Sequence, residues 1–307
     1  MSAEGQGGRT QAWIRAMPIV FVLIWSTGFI VARYAMPLSP PLKFLAVRYA
    51  LSILCFLPWI LLAKVPWPQS RAQWQHLAVV GVLMHACYLG GVWAAVRAGM
   101  GSGLTALIVG LQPVLTAFWL SSRRDFAQVD HITRRQWAGL FLGLVGLVMV
   151  VSCKFGTGGE VSWLSMTLII GALLGITIGT LYQKRFVEPC DVRTANAVQL
   201  GAALLVTLPL TLLEPEPMQW NLQLVSAMAW SVLALTLGGS SLLYLLIQRG
   251  AAASVTSLMY LVPPCTALLA WLLFAESITA ITIAGTLLTA VGVALVVRPE
   301  RSVRLAP

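Results

Sequence analysis

His85 and Tyr88 stand three apart in a long apolar stretch, so on a helix they share one face, which Gly81 and Val92 extend. A histidine donates, accepts or changes charge near neutral pH, and a tyrosine offers a flat apolar face with a polar tip. Together they suit the wall of a cavity for an amphipathic solute; the alternative is a helix–helix hydrogen bond. Further along, Ser240 or Ser241, Tyr244 and Gln248 recur at helical spacing. They read as a facing wall, with Tyr244 opposite Tyr88, or as small-residue packing around Gly238 and Gly239. Gln112 beside Pro113, and Tyr260 before Pro263, set a polar group next to a residue that frees a backbone carbonyl. That pairing suits a bend or gate, or a fixed kink satisfied by Thr116 or Thr266. Trp25 and Ser26 lie too deep in their stretch for an interfacial ring and read as cavity wall or as buried core. Arg33 and Arg48, near the ends of theirs, are candidate contacts for an anionic group; otherwise they snorkel or bond helix-end carbonyls, as does Arg97. Glu276 reads as a cap for the last helix.

These residues do not form a catalytic set. There is no H-E-x-x-H zinc pair and no couple of aspartates within an apolar stretch. Ser102, in GMGSG, is followed by no histidine within a span, because His131 lies in a connector. A P-loop is absent, so nothing points to direct use of ATP. The five cysteines, Cys55, Cys87, Cys153, Cys190 and Cys265, are scattered and contain no C-x-x-C pair. They read as buried, inert thiols, and no metal or cofactor is expected. No Asp or Glu lies deep in a stretch, which leaves His85 as the residue for any proton coupling and makes facilitated diffusion or weak coupling the default.

The elements that must position these groups are membrane helices. Of 307 residues, 58% are hydrophobic and 10% charged, and the mean hydropathy is +0.84. Apolar stretches near the length of a bilayer crossing predict helices over 16–34, 42–63, 76–98, 102–121, 135–152, 163–185, 192–213, 223–248, 252–275 and 280–297. The net charge of +10 sits in short connectors and not along one face, which excludes a nucleic-acid partner and points to the lipid bilayer. With both termini on one side, that side takes Arg9, Arg15, Lys64, Arg71, Arg123, Arg124, Arg134, Arg135, Lys184, Arg185, Arg193, Arg249, Arg298, Arg301 and Arg304, leaving only Arg33, Lys43, Arg48, Arg97 and Lys154 for the remainder. Positive loops are retained inside, so both termini are expected in the cytoplasm. Trp13, Trp59, Trp67, Trp74, Trp137, Trp163 and Trp220 fall at expected helix ends, where amphipathic rings prefer the interface.

The chain also repeats itself. AGLFLGLVGLVMVV from Ala138 matches AGTLLTAVGVALVV from Ala284, and AVRYALSILCFLP from Ala46 aligns without gaps to AVQLGAALLVTLP from Ala197. PVLTA at Pro113 answers PPCTA at Pro263, and Gly28 with Arg33 answers Gly179 with Lys184. The division is a tail over 1–15, a first five-helix repeat over 16–152, a second over 163–297 and a tail over 298–307. An odd number of crossings per repeat inverts the second half. The expected fold is therefore an all-α integral membrane protein of ten transmembrane helices, arranged as two inverted five-helix repeats around a central cavity, which is the requirement for alternating access.

WSTGFIVARYA at Trp25, PLKFLAVR from Pro41 to Arg48, the Pro113 and Pro263 helices, and FAES preceding AGTLLTAVGVALVV are similar to the EamA-type carriers of the drug/metabolite transporter superfamily. The resemblance spans about residues 16 to 298. It implies a multi-pass protein of a bacterial inner membrane that exports amino acids, other small metabolites or amphiphilic drugs, as a monomer or a homodimer. A flippase-like carrier of a lipid-linked substrate is the alternative, with an intramembrane enzyme behind it.

Overall fold

A bilayer offers backbone groups no hydrogen-bond partner, so an apolar chain satisfies them by coiling. The computed structural model describes residues 4–122, 134–154, 161–239, 242 and 261–297, and all its regular structure is helical. In order these are α1 (Glu4–Ala35), α2 (Pro41–Leu62), α3 (Arg71–Gly81), a first π-helical segment (Val82–Leu89), α4 (Gly90–Arg97), α5 (Ser102–Val109), α6 (Gln112–Ser122), α7 (Arg134–Lys154), α8 (Trp163–Phe186) and α9 (Val192–Leu210). A short 3-10 turn, α10 (Leu222–Trp230), a second π segment (Ser231–Gly239), α11 (Val262–Phe274) and α12 (Ala280–Val297) follow. Six helices are long and apolar enough to cross a membrane by length and composition, and four shorter apolar ones accompany them. Large apolar side chains cover the outside, Leu205 being 76% exposed, as expected where the solvent is hydrocarbon.

Local chemistry sets the helix starts. Ser70, Ser162, Asp191 and Asn221 each accept a bond from a backbone N–H in the first turn of α3, α8, α9 and α10. Asp191 also pairs with Arg193, which holds its carboxyl below the usual range. The stretch expected as a tail over 1–15 is helical from Glu4 and continuous with the first span. The expected fourth helix is broken between α5 and α6 at Gly110 and Leu111, and Pro113 sits in the first turn of α6, where its missing N–H does no harm. Pro263 likewise lies in the first turn of α11. The expectation of buried thiols does not hold: Cys87 is exposed and Cys55, Cys153, Cys190 and Cys265 are half-buried, their weakly polar side chains being compatible with an apolar exterior.

Small residues bring helices from distant parts of the chain into backbone contact. A Cβ at Gly81 would collide with the backbone of Gln199, and one at Gly91 would lie 2.8 Å from the Leu168 carbonyl. In the seam between α7 and α12, a Cβ at Gly146 would lie 2.6 Å from Thr289 Oγ1, and one at Gly292 would lie 2.9 Å from Gly143 Cα. The same principle joins α2 to α9, α5 to α11, α8 to the α3–α4 rod, and α1 to α10, the second π segment and α11.

Polar bonds then tie the two ends of the bundle. At one end Glu214 accepts from the backbone N–H groups of Leu42 and Lys43 at 3.0 Å, capping α2, and Arg97 donates to Met36 O and to Glu216. Glu276, expected to cap the last helix, instead reaches across to α5 and accepts from Ser102 N at 2.8 Å; Thr279 caps α12 in its place. The αL turn at Ala275 (φ 53°) sends the chain back under α11 and aims the carboxylate at that foreign helix start. At the other end Gln73 donates to Glu188 O and Thr194 to Pro66 O.

Two measurements check this account. Gly146→Ala is expected to lower the detergent melting temperature, reflecting about 1–3 kcal/mol of overpacking, whereas Gly171→Ala, with nothing within 4 Å of the new Cβ, leaves it unchanged. Glu276→Ala is expected to cost about 1–2 kcal/mol by orphaning the first N–H groups of α5; a Glu276→Ala melting temperature equal to the parent's would remove the capping role.

Candidate functional site

The helix-shared face of His85 and Tyr88 lies in the first π segment, and it opens onto the main cavity of the described residues. About 830 Å³ of non-atom space lies within it, open solvent at its mouth included. Trp25, Gly28 and Phe29 from α1, Arg48 and Tyr49 from α2, Met84, His85, Tyr88 and Leu89 from the π segment and Val92 and Trp93 from α4 form most of its wall. Ile176 of α8, Leu200 of α9, and Leu235 and Thr236 of the second π segment complete it. Both π segments therefore face the same space. A π turn shifts the carbonyl register, a distortion that recurs at functional sites.

The polar groups of the wall are held by bonds that this shift makes available. The Tyr49 hydroxyl donates to the backbone carbonyl of His85 at 2.8 Å, and the two rings meet edge-on with centroids 6.0 Å apart. The Thr236 hydroxyl donates to Ser231 O, five residues back, at 2.9 Å. So oriented, Thr236 Oγ1 accepts from Arg48 Nε and Nη2 at 3.3 and 3.2 Å. Arg48 is only 8% exposed. It does not snorkel, because it belongs to the inward stripe Phe44, Leu45, Arg48, Tyr49 and Ser52 of α2, and a stem on that face points across the bundle and away from the interface. His85 Nδ1 is buried and has no hydrogen-bond partner among the described residues.

A family model described as the EamA-like transporter family matches the chain twice, over residues 13–152 and 163–298. The chain belongs to the EamA-like transporter family. Among similar proteins are the uncharacterized transporter YvbV of Bacillus subtilis, 25% identical over 90% of this chain and 88% of its own, and the uncharacterized inner membrane transporter YedA of Escherichia coli K12, 27% identical over 84% and 82%. A "probable amino-acid metabolite efflux pump" of Salmonella typhimurium is 20% identical over 90% of this chain and 92% of its own. A solved crystal structure superposes with a TM-score of 0.64 at 15% identity, covering 93% of this chain and 97% of that one, which supports the fold alone. The EamA-like chain is thus a multi-pass membrane transporter.

Within this family member, the residues singled out in the sequence divide. Trp25, Arg48, His85 and Tyr88 come together on the cavity. Ser26 does not: it is fully buried, its hydroxyl donates to Val22 O, and its carbonyl accepts from Thr266, so it fastens α1 to α11. Gln112 donates to Thr116 and Thr180, which ties α6 to α8 away from the cavity wall. Arg33 lies in the last turn of α1, outside the wall. Pro263 packs on Gly110, where a Cβ would lie 3.0 Å from its ring. Ser241, Tyr244 and Tyr260, with Ser240 and Gln248, lie outside the described residues. Tyr49, Trp93 and Thr236 were not anticipated. Tyr49 carried a signal, since it follows Arg48 and precedes Ser52 on one face; Thr236 carried none, because only the π turn brings it to the guanidinium.

Cysteine scanning separates the two groups of residues. In a background lacking the native cysteines, Met84→Cys and Leu235→Cys are expected to react with a small methanethiosulfonate in detergent, while Ser26→Cys stays unmodified. Rapid labelling at position 26 would place Ser26 on the cavity after all.

Proposed function

We propose that this EamA-like protein is a secondary transporter that exports amino acids or other small metabolites, including amphiphilic compounds, through the central cavity by alternating access. The observation that carries the reading is the cavity itself: aromatic walls and a few convergent polar groups, supplied by helices from both halves of the chain.

The architecture we infer is ten transmembrane helices in two inverted five-helix repeats, over 16–152 and 163–297. Contacts that exchange under the repeat support it. A shift of 151 residues takes Gly28 to Gly179 and Met84 to Leu235; Gly28 packs on Leu235 and Gly179 packs on Met84. In the α7–α12 seam, Gly146 meets Gly285 and Gly292 meets Gly139, a pair that a shift of 146 interchanges. Gln73 reaches the connector after α8 at one end, and Gln223 reaches Tyr34 O at the other. Both π segments fall at matching places. A pseudo-two-fold axis of this kind makes two packings of similar energy available, which is what alternating access uses. The excess of Arg and Lys in alternate connectors puts both termini in the cytoplasm, and the family relatives, one of them named an inner membrane transporter, support a bacterial inner membrane.

Reconstituted proteoliposomes preloaded with a mixture of amino acids, their derivatives and aromatic acids test this reading by efflux and counterflow. Gly28 lines the cavity with only the Leu235 side chain near its missing Cβ, so Gly28→Leu is expected to fill the space and cut flux at least about tenfold without loss of folding. Flux equal to empty liposomes for every solute, or equal flux for the parent and Gly28→Leu, would contradict it. Running the same flux with and without an imposed pH gradient decides whether protons are coupled.

A further inference from the structure

We propose that the cavity takes an organic anion: a solute bearing one carboxylate or comparable monoanionic group, with no ammonium, on a flat apolar body. This rests on the transporter reading of the same cavity and narrows its substrates to the other small metabolites and amphiphilic compounds, leaving out the zwitterionic amino acids.

Among the described residues that line the cavity, the guanidinium of Arg48 is the single charge, and its bonds are to one hydroxyl. Those bonds run from Nε and Nη2 to Thr236, and the Tyr88 phenol lies close enough to interact with the guanidinium electrostatically. Among the described residues no carboxylate lies on the cavity wall. Glu188, Asp191, Glu214, Glu216 and Glu276 lie in connectors, and residues 240–260, outside the described set, contain no Asp or Glu. A buried guanidinium whose described partner is one neutral hydroxyl is costly, and an anionic solute would balance it.

The fold itself does not require this charge. In the gapless alignment of the two repeats Arg48 falls opposite Gln199, a neutral residue buried to the same 8% exposure on α9. One copy of the position thus accommodates an amide, while the copy that faces the cavity carries a cation. The rest of the wall is largely apolar, with the rings of Trp25, Phe29, Tyr49, Tyr88 and Trp93 set among aliphatic side chains, and it suits a flat apolar body. With no acidic group among the described residues of the wall to receive an ammonium, Arg48 repels amines and leaves a zwitterion's positive end unpaired.

Matched probes test the proposal: indole-3-acetate, indole-3-acetamide and tryptamine, and benzoate, benzamide and benzylamine. Each is titrated calorimetrically into the full-length protein in detergent and run in proteoliposome counterflow. The acids are expected to bind about 10- to 100-fold more tightly than their amides, the range of a charge-assisted bidentate bond, and the amines more weakly still. Arg48→Gln, which copies the residue type of Gln199, is expected to abolish the acid preference, and Arg48→Lys to keep part of it. Equal binding of acid and amide by the parent, absence of acid binding at millimolar concentration, or an acid preference that survives in Arg48→Gln overturns the proposal. The wild-type comparison decides by itself if a variant does not fold. Selective acid binding without flux would count against transport and leave the anion site standing; flux without charge preference would do the reverse.

Discussion

The fold depends on the approach of backbone to backbone at glycine. Lipid tails are as apolar as leucine side chains, so helices in a bilayer gain little from hiding apolar surface against one another and associate through close packing and buried hydrogen bonds. Gly81 against Gln199, Gly91 against Leu168 and the Gly139–Gly143–Gly146 edge against α12 supply that packing. Each joins segments more than 70 residues apart in sequence. Because the tight contacts run along seams, the centre is left unfilled, and the cavity is what remains between α1, α2, α3–α4 and the second π segment.

The end-on bonds have a different character. Glu214 and Glu276 place carboxylates on helix N-termini that belong to another part of the chain, where unsatisfied N–H groups and the helix dipole favour negative charge. The Glu214 bonds are part-buried and the bond from Ser102 N to Glu276 is buried. The glycine seams and the end-on bonds alike join helices of the first half of the chain to helices of the second. In this structure the two are spatially separate.

The cavity adds a third feature, an internal asymmetry. Two related halves would line a central site with equivalent groups, yet the pair Arg48 and Gln199 differs in charge and only Arg48 lies on the wall. The π segments contribute to this. By widening one turn they let Thr236 bond five residues back and present its oxygen to Arg48, and they leave the His85 carbonyl for Tyr49. A straight α-helix at either place would rotate these groups off the wall, since each residue turns the face by about 100°.

Much was legible in the residues alone. The length and composition of the apolar stretches determined an all-helical membrane protein, since no other architecture satisfies the backbone of such a chain in lipid, and the motifs at Trp25, Pro41 and Phe274 pointed to the family. Trp25, Arg48, His85 and Tyr88 were recognisable as candidates because polar or oversized groups within a span need a reason. Their roles were not. Ser26 and Gln112 have the same chemistry as cavity residues but turn toward α11 and toward Thr180 of α8; Arg48 turns inward where its position near a helix end permitted either course; Glu276 caps α5 and not its neighbour α12. Periodicity assigns a residue to a face of its own helix, while what that face meets, and whether the turn there is α or π, depends on helices far away in the chain. The sequence by itself determined which groups must be buried, and tertiary packing decided which of them share a cavity.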